Sequence, residues 1–392
     1  MKNKALNKKK VFVYSSVHVW NDTRIYYKEI ETLLKADYQV EQMAVETMQQ
    51  PEPRQNLTQN LFEKGSRLKR FARWFTIYKA IRRSDAKYYH FHDPELLLLL
   101  PILRKRDGIF IYDMHENFPK ALETKAWIPK RLRKPLAKIV KRVEQKGLAL
   151  CNSVIFAESS YKKDYPYVTQ KQEDILNYPI YQEVIQSREN EEQILLYVGG
   201  IEENRGLWIM LEALRSLKHL GHEKLKLKLV GPVSEADNEK IDTFVTEHSL
   251  ASNVERLGRI PNVEINRHMA TATIGLCLLK PIPNYMESMA TKMFEYMSAE
   301  LPMIVSDFPM WSDLMKETKS GLSLNPLDTE EVTEAIELLL ENKILRQKMG
   351  ANGRRHYEKT YNWTEEGEKL LALYESANNE VLNESPIYQS TF

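Results

Sequence analysis

Strands alternating with helices through both halves of the chain predict an α/β protein of two Rossmann-like domains that face a cleft. Three observations carry this. Short apolar runs recur, each followed by a loop and a helix-prone stretch, beginning with Val11–Ser15 and resuming at Ile194–Val198. The length of 392 residues is enough for two separate cores. A polar, acidic stretch at 180–192 reads as the linker between them. The expected domains are therefore 1–180 and 193–360.

The totals exclude several classes. A hydrophobic content of 43% is ordinary for a globular chain. No run approaches the 18 or so apolar residues of a membrane span. The apolar run after the basic start is only Val11 to Tyr14, so no secretory signal peptide is expected. Cys151 and Cys277 are far apart, form no metal or redox pattern, and read as buried thiols of a reducing compartment.

The net charge of +2 hides an asymmetry. Residues 1–178 hold 34 Lys and Arg against 20 Asp and Glu, a balance of +14, and the remainder balances at −12. Two segments concentrate the basic charge. Residues 64–87 have nine basic residues and one acid, interleaved with Phe71, Trp74, Phe75, Ile77, Tyr78 and Ile81. Residues 120–146 have ten basic residues and two acids, interleaved with Trp127, Leu132, Leu136, Ile139 and Val143. Both read as basic amphipathic helices. Such helices lie on anionic membranes, each basic residue near the surface adding up to about 1 kcal/mol. No nucleic-acid-binding module accompanies them, so nucleic acid is not an expected partner.

In chain order, the strand at Val11–Ser15 leads through the loop Ser16–Asp22 to a helix expected over Thr23–Lys35. Asp22 reads as its cap. Arg24 and the free amides of the first turn are candidate phosphate contacts, and His18 a candidate donor or acceptor contact. A strand is expected at Tyr38–Val45, a loop at 48–62, and a strand at Lys87–His92 ending in H-F-H-D-P-E-L. Asp93 reads as the cap of the next helix, with Pro94 at its first position. Three near-adjacent polar groups of this motif also suggest a metal site, but no third-ligand motif such as H-E-x-x-H supports one and no metal is expected. Ile109–Asp113 is the next strand, ending in M-H-E-N-F-P, and Val154–Ala157 follows.

The second half opens at Ile194–Val198 into G-G-I-E-E-N-R-G, a tight turn with a helix beginning near Gly206. Strands are expected at Lys226–Val230, Val254–Leu257 and Ile274–Leu278. Then comes Asn284–Pro309, in which Glu287 and Glu295 stand eight residues apart on a segment expected to be helical at least from Thr291. A fully helical spacing would separate them by about 12 Å. Pro302 ends that helix, and Met303–Val305 reads as a buried parallel strand. Two glutamates alone are more often a solvated helix face than a site.

The surrounding pattern changes that reading. Glu-x7-Glu within N-Y-x5-T-K-x-F-E-Y-M-S, followed by L-P-M-I-V-S-D, resembles the donor motif of retaining glycosyltransferase family 4. The H-D-P-E-L, Y-D-x-H-E and opening S-x-H-x3-D-x-R-I segments are similar to others in that family. The resemblance covers most of residues 10–376. It implies the GT-B fold, with a C-terminal helix expected at Trp363–Ser376 and residues 361–392 returning to the first domain. It implies that Glu287 meets the transferred sugar and Glu295 the ribose hydroxyls, because a carboxylate accepts from two vicinal hydroxyls. Lys292 is the candidate cation for the donor diphosphate. His115 is the candidate histidine contacting acceptor or donor sugar, and His92 and Asp93 are expected to face the cleft. Gly199, Gly200 and Arg205 stand where the family usually has G-R-x4-K-G, so Gly200 replaces an arginine and Arg205 a lysine. Arginine holds two phosphate oxygens as a fork, so diphosphate binding is still expected.

The implied activity is metal-independent transfer of a sugar, with retention, from a nucleotide-sugar, a UDP-sugar above others. That donor is a substrate, and no cofactor is expected. The acceptor implied is anionic or lipid-linked, on a cell-surface glycan intermediate, and the expected location is cytoplasmic, peripheral on the inner face of the cell membrane. A nucleotide-sugar epimerase or hydrolase on the same fold, and a non-catalytic partner subunit favoured by Gly200, are the alternatives.

Overall fold

The computed structural model describes residues 7–65, 67–103, 108–124, 128–183 and 192–383. The chain divides into two compact units, residues up to Asn177 together with those from Trp363 onward, and Tyr178–Asn362. Most of the stretch read as a linker lies outside the described residues. Its described start is seated on the second unit: Tyr357 Oη donates to Ile180 O at 2.8 Å, and Arg354 Nη1 donates to Gln182 O at 2.8 Å.

In the first unit seven parallel strands form one sheet. They are β1 (Asn7–Val19), β2 (Gln39–Val45), β3 (Leu57–Phe62), β4 (Ala86–Phe91), β5 (Ile109–Met114), β6 (Ser153–Phe156) and β7 (Lys171–Asp174), in the order β3-β2-β1-β4-β5-β6-β7. Helices cover both faces, which is why β1, β4 and β5 read as unbroken apolar runs rather than alternating ones. One face packs Phe12, Tyr89, Phe91 and Phe110, the other Val11, Val13, Ile109 and Ile111. The helix Trp363–Asn383 closes the second of these cores: Tyr88 Oη donates to Tyr374 O at 3.1 Å, and Trp363 Nε1 donates to Thr32 Oγ1 at 2.9 Å. The part of this chain end beyond Asn383 lies outside the described residues, as does the basic start before Asn7.

The second unit has six parallel strands: β8 (Ile194–Val198), β9 (Lys226–Val230), β10 (Val254–Gly258), β11 (Ile274–Cys277), β12 (Met303–Ser306) and β13 (Gly321–Leu324), ordered β10-β9-β8-β11-β12-β13. In each sheet the strand order reverses once, between β1 and β4 and between β8 and β11. Ligands of open α/β sheets bind at such switch points, outside the carboxyl ends of the strands.

Several elements differ from expectation. Residues 48–62 were expected as loop, but Leu57–Phe62 is an edge strand. Lys171–Asp174 is another edge strand, written entirely in polar residues. The helix expected over Thr23–Lys35 is a π-helical turn at Ile25–Ile30 running into an α-helix at Glu31–Lys35. The second basic segment is two helices, Phe118–Thr124 and Lys130–Leu148, with Pro129 at the second start. Trp127 lies outside the described residues.

Candidate functional site

In the second unit the loop after β8 begins the site. Gly199 sits at φ +139°, and Gly231 beside it at φ +146°; a Cβ on Gly231 would lie 1.8 Å from Gly199 O, so the two loops close-pack only without side chains. The three-residue 3₁₀ turn Glu203–Arg205 follows, and Gly206 at φ +85° starts the helix Leu207–His219. Lys292, in the first turn of the helix Thr291–Ser298, reaches back to the glycine turn: a Cβ added at Gly199 would lie 3.1 Å from its Nζ. Arg205 covers the other side, its Nη1 3.6 Å from where a Cβ of Gly200 would stand. Two cations thus flank one glycine turn at the switch point of the sheet.

Lys292 is buried, which rules out an ordinary exposed helix lysine. Its ammonium lies over the Tyr197 ring, 3.8 Å from the centroid, and among the described residues it has no hydrogen-bond partner. Burial brings its pKa down from 10.5 to about 8. Arg205 is tethered, its Nε donating to Glu202 Oε1 at 2.9 Å and its guanidinium edging the Tyr285 ring. Tyr285 Oη donates to the same glutamate oxygen at 3.1 Å.

Glu287 and Glu295 do not share one helix. Glu287 closes the short helix Pro283–Met286, the backbone leaves helical form, and Thr291 restarts it. Trp311 Nε1 donates to Ser288 O at 2.8 Å and pins that break. Glu295 is half-buried on the same helix as Lys292. The helix is anchored beneath β8 and β11 by Tyr296, whose Oη takes the Val198 N–H at 3.2 Å.

In the first unit three histidines gather at the carboxyl ends of β1, β4 and β5. The His115 ring lies 5.1 Å from that of His18 and 5.0 Å from that of His92. His115 is partly buried, its side chain 19% exposed, and its Nε2 is 3.1 Å from Asp113 Oδ2. Burial works against the Asp113 charge, but Arg24, His115 and His92 outweigh it and hold the carboxyl well below the usual range. Asp22 caps the π-turn, accepting from the Arg24 and Ile25 N–H groups at 2.9 and 3.1 Å, and sits 3.3 Å from His18 Nδ1.

Two expectations are corrected here. Arg24 is not a phosphate contact: it is buried, with Nε and Nη2 donating to Asp113 at 2.8 and 3.0 Å and Nε also 3.0 Å from Glu29. The first-turn amides are likewise taken by Asp22. Asp93 makes no side-chain cap. It turns inward and accepts from Ser15 Oγ at 2.9 Å and from the Ser16 N–H at 2.6 Å. Beside this rim a cavity of about 780 Å³ opens at the ends of β1 and β2, lined among others by Ser16, Val17, Thr47, Gln49, Arg70 and Arg73.

Residues 181–356 match the family model described as Glycosyl transferases group 1. Over those residues, somewhat under half of its length, the chain is similar to that family. Spore coat protein SA of Bacillus subtilis (strain 168) is 25% identical over 188 residues, 47% of this chain and 48% of that protein. The match thus spans about half the length of that curated relative. Over nearly the whole chain the fold is that of GT-B glycosyltransferases. Sucrose-phosphate synthase from Thermosynechococcus elongatus superposes with a TM-score of 0.74 at 17% identity, covering 95% of this chain and 100% of that one. Anabaena Alr3699/HepE, solved in complex with UDP, gives 0.68 at 12% identity, covering 94% and 100%.

The matched region contains Gly199, Gly200, Arg205, Glu287, Lys292 and Glu295, and the first unit holds His18, Arg24, His92, Asp93 and His115. Sequence reasoning missed Tyr197, Glu202 and Tyr285, which seat the two cations. Tyr197 reads as one more apolar strand residue, and nothing in the spacing ties Glu202 to Tyr285.

Proposed function

We propose that this protein is a retaining glycosyltransferase that moves a sugar from a UDP-sugar to a lipid-linked intermediate of a cell-surface glycan. The observation that carries the reading is Lys292: a buried ammonium without a hydrogen-bond partner among the described residues, poised with Arg205 over a glycine turn. A buried cation is costly unless an anion completes it. A donor diphosphate is the anion that fits a paired-cation cradle next to carboxylates suited to vicinal hydroxyls. The solved neighbour holding UDP supports the choice of base.

In this reading Glu295 accepts from the ribose hydroxyls and Glu287 from those of the sugar. As the sugar–phosphate bond breaks, charge builds on the diphosphate, and Lys292 and Arg205 stabilise it without a metal. The leaving diphosphate takes the proton of the acceptor hydroxyl, which attacks from the same face, so the configuration is retained. His115, held through Nε2 by Asp113, is the sugar-contacting histidine of the first unit, and the cavity beside it takes the acceptor.

The membrane part rests on the helix Lys130–Leu148. Ala137, Glu144, Gly147 and Leu148 face inward, while Leu132, Ile139 and Val143 are exposed on another stripe among Lys and Arg residues. On the helix Arg67–Arg83, Phe71 and Phe75 are about 60% exposed. No helix among the described residues is long and apolar enough to cross a membrane. Peripheral attachment to an anionic inner leaflet suits these stripes.

The test is a thermal-shift panel of UDP-, GDP-, ADP- and dTDP-sugars without added metal. A donor at a hundred times its Kd stabilises by about 2.7 kcal/mol. A shift with UDP-sugars alone is expected. Silence across the panel contradicts the reading and favours a partner subunit that has lost turnover.

A further inference from the structure

Below the histidine rim of the first unit lies a second, fully buried group: Glu29, His90, His92 and Asp113. One ligand atom from each lies within 4.8 Å of all the others. His90 and His92 alternate on β4 and its extension, so both rings point to one face of the sheet. Asp113 is beside them on β5. Glu29 arrives from above because the turn Ile25–Ile30 is π-helical, its N–H bonded to Arg24 O at 3.0 Å, which widens the turn toward the sheet.

The hydrogen bonding of this group is incomplete in one direction. His90 Nδ1 is 2.9 Å from Tyr374 Oη, and His92 Nδ1 is 3.2 Å from His115 Nε2 and 3.5 Å from Asp113. Both Nε2 atoms and both Glu29 oxygens are buried and have no hydrogen-bond partner among the described residues. His92 Nε2 stands 3.7 Å from Glu29 Oε2, too far for a direct bond. Apart from the Arg24 Nε–Glu29 Oε1 ion pair at 3.0 Å, these buried polar atoms converge without a hydrogen-bond partner, which calls for something between them.

We propose that Glu29, His90 and His92 form a binding site for a divalent transition-metal ion of the zinc class, with Asp113 at its edge. The proposal is independent of the glycosyl-transfer reading, since the ion would tie the π-turn to the sheet. Two imidazoles and one carboxylate are a common ligand set for such ions, with a fourth position left for water. Ligands at about 2.1 Å from a tetrahedral ion lie roughly 3.4 Å apart, so the observed spread closes by about an ångström through small side-chain rotations. The outer contacts also fit: each histidine has its Nδ1 held by another polar group, which fixes the ring and leaves Nε2 for the ion.

Arg24 narrows the choice of ion. Its guanidinium saturates Asp113 and lies 3.0 Å from Glu29. With neutral imidazoles the buried group carries one excess negative charge. A lone proton would balance it but satisfy only one of the orphaned pairs. A divalent ion whose water ligand has lost a proton balances it as well and engages all three groups. An ion bound through charge alone, such as Mg²⁺ or Ca²⁺, would be repelled by Arg24, whereas zinc-class ions gain from imidazole nitrogen.

The experiment is metal analysis of the full chain, produced with zinc in the medium and desalted without chelator. About one ion per chain is expected, and replacing it with Co²⁺ should give the visible absorption bands of nitrogen-ligated cobalt. His90→Gln and Glu29→Gln, checked for folding by circular dichroism, should each lower the metal content at least tenfold. His222→Ala should not change it; His222 belongs to a more exposed trio with Glu337 and Glu341 in the second unit. Metal-free protein after growth and after refolding with Zn²⁺ would overturn the site. So would metal that persists in the folded variants, or that is lost with His222→Ala. The cobalt spectrum of the unaltered chain decides the matter even where a variant does not fold.

Discussion

The two units place charged side chains at equivalent points, the switch points of parallel sheets, and leave opposite charges incomplete. In the second unit the incomplete group is a cation, Lys292, beside a second cation and a glycine turn. In the first unit Arg24 forks onto Asp113 and pairs with Glu29, and its Nη1, the Glu29 oxygens and the Nε2 atoms of His90 and His92 are what remain without a hydrogen-bond partner among the described residues. The same topology therefore gathers two cations at a glycine turn in one half and a closed, carboxylate- and imidazole-rich floor under a histidine rim in the other. What decides between them is the residue type carried into the strand ends.

The largest expected effect tests whether the first-unit floor is a closed network. Asp113→Ala strips the partner from a buried guanidinium and should destabilise the first unit by about 3–5 kcal/mol. Denaturant unfolding followed in that unit checks it. Replacing all three members, Arg24→Met with Asp113→Leu and Glu29→Gln, should recover much of the loss, because no buried charge of the trio is then left unpaired. A mild Asp113→Ala would mean that Arg24 finds other partners and that the contrast between the units is overstated.

The second unit should respond in the opposite sense. A shift from 10.5 to about 8 corresponds to roughly 3 kcal/mol of preference for neutral Lys292, borne by the ligand-free protein below pH 8. Lys292→Met should therefore stabilise the free protein by up to about that amount while weakening donor binding by about 1.5–3 kcal/mol, the worth of a charged hydrogen bond. Calorimetric titration and thermal unfolding measure the two together. The pH dependence follows with the same sign. The folded amine is depressed, so the unfolded chain binds more protons between about pH 8 and 10.5, and free-protein stability rises through that window. Donor affinity falls over it, because the diphosphate needs the ammonium. Both trends should vanish in Lys292→Met. An affinity flat across pH 8 in the unaltered protein would remove Lys292 from the diphosphate.

The cation-flanked glycine turn of the second unit was legible in the sequence because its parts are nearly contiguous. The glycine turn with Arg205 spans seven residues and the Glu287–Glu295 stretch, which carries Lys292, nine. Depth was not legible. Spacing put Arg24 at a helix start, where phosphates bind, but only the packing of the π-turn against β5 shows that it points inward. Glu29 lay unnoticed as a neighbour of the H-F-H-D motif because their meeting depends on strand order and on a widened turn that no local pattern announces. The polar edge strands Leu57–Phe62 and Lys171–Asp174 escaped for a related reason: a strand paired on one side, with few buried side chains, carries little apolar signal. The buried strands β4, β5, β8, β9 and β12 carry it strongly and were found within a residue or two.

The smallest expected effect concerns the exposed stripe of the first unit, and it asks whether that unit's surplus of positive charge has a partner outside the protein. Leu132 and Ile139 are 57% and 56% exposed on one face of the helix Lys130–Leu148. Because water already reaches them, Leu132→Ser with Ile139→Ser should change stability by less than about 0.5 kcal/mol. If the face enters a lipid interface, burying what is now exposed is worth roughly 1 kcal/mol per side chain, so the pair should lower partition onto anionic vesicles about tenfold or somewhat more. Co-sedimentation with phosphatidylglycerol-rich liposomes reads this directly. High salt should release the unaltered protein further, since the surrounding Lys and Arg act through a screened field. Equal binding of the double variant would assign the attraction to charge alone, and equal binding to neutral vesicles would remove the charge. Either result would leave the paired cations of the second unit untouched, because they lie on other residues.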